Sequence, residues 1–191
     1  MPVVPLFLKL RRLSSIRPYL SERISARLVA SLITSRLDYS NSISAGLPAE
    51  QIGRLQRVQN SAARLILKKK KKNRKLDHVT PLLNELHWLP VKFRCEYKIA
   101  TLAYRHFDGT LPSYLSASLC TYQTSRNLRS SNAKLLKIPK RSLKSVGHRS
   151  FSFIAPTVWN SLPASLRNLS TLPDFKAQLK TFLFHQTFPQ M

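Results

Sequence analysis

Apolar residues in this chain recur at helical spacing, and almost nowhere at the two-residue alternation of a half-buried strand. Phe93, Tyr97, Ala100, Tyr104 and Phe107 step by four, three, four and three. That rhythm sets them on one stripe of a helix, which has to be covered by another element. From Ala49 to about Leu67 a second stripe runs through Ile52, Leu55, Val58 or Gln59, Ala62, Leu65 and Ile66. Ile24, Leu28 and Leu32 give a third at i, i+4 and i+8, behind Ser21 as N-cap and Glu22 in the first turn. The expected fold class is therefore mainly α: one or more small helical bundles.

Helix punctuation divides the rest. The run Leu37-Asp38-Tyr39-Ser40-Asn41 turns, and Gly46-Leu47-Pro48 restarts the chain. Thr80-Pro81 starts a short helix, with proline where no amide is needed. That helix ends at His87-Trp88-Leu89-Pro90, a longer one follows from Val91, and Gly109 stops it. Pro112 opens a short helix through Leu119. From Thr121 to about Ser150 no period is sustained, which reads as a long basic loop with a strand or hairpin around Leu135–Pro139. Helix resumes over Phe151–Leu162 on Phe151, Ala155, Val158, Trp159 and Leu162, where Pro156 marks either its start or a kink. Leu172-Pro173 opens the last helix, striped by Phe175, Leu179, Phe182 and Leu183. The expected organisation is a lead-in over 1–20, a helical region over 21–119, the basic loop over 120–150 and a helical segment over 151–191.

Charge sets the partner class. Thirty-two Lys and Arg against eight Asp and Glu give a net charge of +24. Such an excess calls for a polyanion. No run approaches the roughly 20 apolar residues of a spanning helix, so no membrane is expected as partner. The apolar Val3–Leu8 precedes its charges (Lys9, Arg11, Arg12), whereas a secretory signal places them first. The Arg- and Ser-rich stretch from Lys9 to Leu37 has the composition of a mitochondrial transit peptide, but its apolar spacing continues into the next helix.

Catalytic signatures are missing. The acids Glu22, Asp38, Glu50, Asp77, Glu85, Glu96, Asp108 and Asp174 form no Asp-Asp pair and no D-x-D pattern. The four glycines make neither G-x-G-x-x-G nor a Walker A loop, and no G-x-S-x-G occurs. Cys95 and Cys120 belong to no C-x-x-C pair, and none of the five histidines makes H-x-x-x-H. No catalytic residue, metal or cofactor is expected, and two reduced thiols indicate an intracellular protein.

The signal lies in two acid-free intervals. Between Glu50 and Asp77 stand Arg54, Arg57, Arg64, then Lys68, Lys69, Lys70, Lys71 and Lys72, then Arg74 and Lys75. Arg54, Arg57 and Arg64 fall near one helix face, and the lysine run either extends that helix or frays from it. Between Asp108 and Asp174 stand Arg126, Arg129, Lys134, Lys137, Lys140, Arg141, Lys144 and Arg149. Both tracts suit RNA or DNA backbones, contacted at phosphates with little sequence specificity. Tyr122 is an aromatic on which an unpaired base can stack. The plain alternative for Lys68–Lys72 is a solvated run or a nuclear import tract.

Several strings in order are recognisable. Ser35-Arg36-Leu37-Asp38-Tyr39-Ser40-Asn41-Ser42 leads to Ala45-Gly46-Leu47-Pro48. Leu55-Gln56-Arg57-Val58-Gln59-Asn60-Ser61-Ala62-Ala63-Arg64-Leu65 and Leu86-His87-Trp88-Leu89-Pro90-Val91 follow. Then come Arg126-Asn127-Leu128-Arg129-Ser130-Ser131, Ala155-Pro156-Thr157-Val158-Trp159-Asn160-Ser161-Leu162-Pro163 and Phe175-Lys176-Ala177-Gln178-Leu179-Lys180. From about Leu10 to Phe184 the chain resembles the C-terminal region of reverse transcriptases of LINE-type (non-LTR) retrotransposons, the jockey-like and CR1-like group. It departs from that pattern at Ser40, where Cys is common, and at Gly147-His148-Arg149, where Gly-Asp-Arg is usual. The resemblance implies a thumb-like, post-polymerase fragment that grips template or primer. It lacks the palm with its Asp-Asp motif and the endonuclease, and so has no polymerase activity of its own. It also implies a nuclear or cytoplasmic ribonucleoprotein setting. The rival reading is a basic ribosome- or RNP-associated structural protein, mitochondrial if its first 37 residues are cleaved.

Overall fold

The computed structural model describes residues 4–39, 41–68, 78–123, 134–140 and 149–189. The protein is mainly helical. In chain order the helices are α1 (Val4–Ile16), α2 (Glu22–Val29), α3 (Ser35–Asp38), α4 (Asn41–Ser44), α5 (Ala49–Ile66) and α6 (Thr80–Glu85). They continue with α7 (Val91–Phe107), α8 (Ser113–Ser116), α9 (Phe151–Ser161), α10 (Ala164–Arg167) and α11 (Leu172–Thr187). Among the described residues there is no strand. One antiparallel bridge joins Thr121 to Leu136, closed by Tyr122 N–H to Leu135 O at 2.8 Å and Lys137 N–H to Cys120 O at 2.7 Å. That pairing is what the apolar run around Leu135–Pro139 forms.

The chain divides into two compact units. The first comprises 1–41, 47–94 and 187–191; the second comprises 42–46 and 95–186.

In the first unit α1 and α2 pack on α5. The expected lead-in is a helix, because Leu6, Leu10 and Leu13 repeat at four and three and all three are buried. Ser21 caps α2 as expected, its hydroxyl accepting the Ile24 amide at 3.3 Å. The face that α2 buries differs from the expected one. Ser25, Val29, Ile33 and Leu37 are buried, while Ile24 is 48% and Leu32 37% exposed. A π turn over Ala30–Thr34 between α2 and α3 keeps Val29, Ile33 and Leu37 on that one face. Four-residue spacing overshoots the 3.6-residue α turn, and a wider turn takes up the excess. Two apolar series had that same spacing, and the wide turn serves the one ending at Leu37.

On α5 the buried set is Leu55, Val58, Gln59, Ala62, Ala63 and Ile66. Gln59 lies in the core because its amide donates to Leu89 O at 2.9 Å and accepts from Gln56 at 2.9 Å. Gln56 accepts the Val91 amide at 2.8 Å. These side chains fix the segment before α7. The end of α6 carries a Schellman closure: His87, with φ 51°, donates to Asn84 O at 2.9 Å, and Trp88 donates to Leu83 O at 2.8 Å. Arg94 holds the Asp38 carboxylate with two guanidinium nitrogens, Nε to Oδ1 at 2.8 Å and Nη2 to Oδ2.

The second unit is built on aromatic contacts. Tyr104 stacks on Phe175 with centroids 4.5 Å apart, and Phe107 on Trp159 at 5.2 Å. Two of the residues expected to line α7 thus meet α9 and α11. Pro156 sits inside α9 without ending it. The Schellman closure recurs after α7, where Gly109 at φ 72° donates to His106 O and Thr110 to Arg105 O at 3.1 Å. Gly46, at φ 79°, lies against α9 and the residues before it. A Cβ there would stand 2.6 Å from Ile154 Cδ1 and 3.3 Å from Arg149 Cα.

Candidate nucleic-acid interface

On α5 the basic residues follow the helix period. Arg57, Ser61, Arg64 and Lys68 recur at four, three and four, so they share one face. Arg57 and Lys68 are exposed and Arg64 is half-buried. Arg54 lies near the same face but pairs with Glu50 at 2.8 Å, one helical turn away. With both side chains more than half exposed, that pair contributes little stability. It does lower the local positive field at that end of the face.

The helix stops where the lysine run begins. Lys68 adopts φ 53°, the left-handed conformation that ends an α-helix. The described part of the run therefore does not extend α5. Lys69, Lys70, Lys71 and Lys72 lie outside the described residues, as do Arg74 and Lys75.

Arg17 closes the C-terminus of α5 from the side. Its Nε donates to Leu65 O at 2.8 Å and its Nη2 to Ile66 O at 2.6 Å, while Nη1 reaches Leu20 O at 2.6 Å. Those α5 carbonyls have no partner within their own helix, and a cation at that end also meets the negative pole of the macrodipole. The sequence reading did not single out Arg17. Its only sequence signal is the Pro18 behind it, which opens a one-turn 3-10 helix.

Between α1 and α5 lies a cleft of about 820 Å³. Phe7, Leu10, Pro18 and Leu65 give it apolar walls, and Arg11, Arg64 and Lys68 also line it. Arg11 belongs to α1, so this site gathers cations that are far apart in sequence.

In the second unit Lys134, Lys137 and Lys140 come to one short segment, all three exposed, with Lys134 at a left-handed φ of 46°. Leu136 between them is buried. The segment is held by the bridge to Thr121 and by α9: Trp159 Nε1 donates to Lys134 O at 2.6 Å, and Asn160 bonds both polar groups of Leu136. Tyr122, half exposed, lines a cleft of about 740 Å³ with Lys137, Ile138 and Lys140. Arg149 is exposed at the start of α9. Arg126, Arg129, Arg141 and Lys144 lie outside the described residues.

Among the described residues no group of three His, Cys, Asp or Glu side chains is placed to hold a metal ion. Nor is any described helix long and apolar enough to cross a membrane. Cys95 is buried and Cys120 exposed, and neither forms a disulfide. What these surfaces offer chemically is cations beside apolar or aromatic side chains, suited to binding an anion with a hydrophobic part. No protein-family model, no curated protein and no solved structure matches this chain.

Proposed function

We propose that this chain is the C-terminal, post-polymerase fragment of a LINE-type reverse transcriptase, without catalysis of its own, and that it grips RNA or DNA by the phosphate backbone. The observation that carries the binding part is the Arg57–Arg64–Lys68 face: cations at helical period on a well-packed helix, in a chain of net charge +24. Each cation that meets a phosphate releases condensed counterions, so affinity falls steeply with salt. The family part rests on the ordered strings of the sequence.

Contact with five to eight phosphates gives a log–log salt slope of roughly −4 to −7 on duplex, and shallower on single strands. Replacing Arg57, Arg64 and Lys68 by Gln lowers the slope by roughly two to three on the same scale. Unchanged affinity at moderate salt would mean that the charge merely solvates the chain. With primer, template and magnesium, the purified chain gives no extension above a mock purification, since a two-metal displacement needs carboxylates for both ions. Magnesium-dependent extension overturns that half of the reading.

The mitochondrial alternative requires loss of the first 37 residues. Leu6, Leu10, Leu13, Val29 and Ile33 are core residues, and Arg17 closes α5. Their removal would strip the first unit of much of its interior, which weighs against cleavage.

A further inference from the structure

We infer that the cleft between α1 and α5 takes an unpaired nucleotide, so that this chain prefers single-stranded over duplex nucleic acid. The inference rests on the nucleic-acid reading above and adds the form of the ligand. The cleft, about 820 Å³, falls in the size range of small-ligand sites. Phe7, itself 40% exposed, and Pro18 give it apolar surface. Arg11, Arg64 and Lys68 line the same space.

This combination excludes a duplex as the occupant. A duplex presents phosphates outward and keeps its bases stacked inside, so an apolar recess beside the cations would stay empty. A splayed base has a π-face for Phe7 and carries its phosphate within reach of the cations. Stacking of this kind tolerates any base, so the cleft selects strandedness and not sequence. Arg17 contributes no direct contact, because its guanidinium is engaged by the carbonyls of Leu20, Leu65 and Ile66. Its charge still adds to the field in the cleft, since it too lines it.

The test uses the full chain and two probes of one length, a 12-nucleotide single-stranded RNA and a 12-base-pair RNA duplex, at fixed moderate salt. Phe7→Ala lowers affinity for the single strand about fivefold or more, leaves duplex affinity within about twofold, and leaves the salt slope unchanged. Phe7→Trp restores single-strand affinity. Phe7 is partly exposed, and thermal unfolding of each variant checks that the fold is intact. Equal losses on both probes, or none on either, overturn the inference while the backbone-binding reading stands. Failure of the parent chain to bind either probe overturns both. Binding to phosphatidylserine vesicles that Phe7→Ala abolishes, with RNA binding untouched, makes the cleft part of a membrane-surface helix and also overturns it.

Discussion

Asn160 holds Leu136 as a neighbouring strand would: its Oδ1 accepts the Leu136 amide at 3.0 Å and its Nδ2 donates to the Leu136 carbonyl at 2.8 Å. One side chain on a helix thus supplies both hydrogen bonds of a β-ladder rung. Leu136 is buried, so neither backbone group has water as a substitute. Asn160→Ala leaves both unsatisfied and should lower stability by about 2–4 kcal/mol. Asn160→Asp keeps the acceptor but turns a carboxylate oxygen toward a carbonyl, and should be no better. Urea unfolding of the two variants measures this. Wild-type stability in either would mean that the Thr121 bridge and the Trp159 bond to Lys134 suffice to hold the segment.

Three glycines should respond to alanine in three ways. Gly46 combines a left-handed φ with Ile154 Cδ1 in the path of a Cβ, so Gly46→Ala should cost about 2–4 kcal/mol. Gly109 has the left-handed φ but open space around it, and Gly109→Ala should cost only about 1–2 kcal/mol. Gly53 lies inside α5 with nothing near, so Gly53→Ala should stabilise by about 0.5–1 kcal/mol. Denaturation midpoints give the ranking directly, and any other order contradicts the geometry.

Arg17→Ala removes three hydrogen bonds from a buried guanidinium and leaves the end of α5 unclosed. The expected loss is about 2–4 kcal/mol. Arg17→Lys should recover only part, because an ammonium cannot reproduce the planar fork that reaches Leu65 and Ile66 together. Amide exchange localises the effect: the last turn of α5 should lose protection first.

Burial holds the His106 imidazole below its ordinary value, with Nδ1 2.8 Å from the Ser116 hydroxyl. A depressed folded pKa means that the unfolded chain binds the proton more readily. Stability is therefore complete above the ordinary histidine range, near 6.5, and is lost as pH falls from there through the folded value. Unfolding free energies at pH 7.5 and 5.5 should diverge more for wild type than for His106→Asn. Equal pH dependence in the two would remove His106 as the cause.

Helices with proline or glycine at their ends were legible in the sequence. α5, α6, α7 and α11 begin at or within a residue of the expected positions, because Pro48, Thr80-Pro81, Pro90 and Leu172-Pro173 leave little choice. α1 was read only as a lead-in, although Pro5 in its first turn and the four–three spacing of Leu6, Leu10 and Leu13 are helix signals. The buried face of α2 was misread because two apolar series share one spacing, and only tertiary packing chooses between them. In the candidate site, the cations of α5 were visible as a charge run, but the cleft was not. It needs Phe7 and Arg11, which stand 50 or more residues before Ser61, Arg64 and Lys68 in sequence. The recognisable strings also have a structural content that a motif search does not state. Asp38, Gln56, Gln59, Trp159 and Asn160 all stand in those strings, and all of them tie one segment to another.

The wide turn at Ala30–Thr34 gives the chain one residue of slack at that point. Upstream and downstream residues share a buried face because the surplus residue is taken up within the turn. Deleting the exposed Ser31 or Leu32 would let the turn close to an ordinary α turn, leaving Leu37 in the core and Asp38 beside Arg94. Deleting a residue within α2 instead would rotate the residues before it by about 100° about the helix axis and turn Ser25 away from the core. Single-residue deletions should therefore be tolerated at Ser31 and Leu32 but not in α2, while Ile33, fully buried inside the turn, should tolerate neither deletion nor a polar substitution.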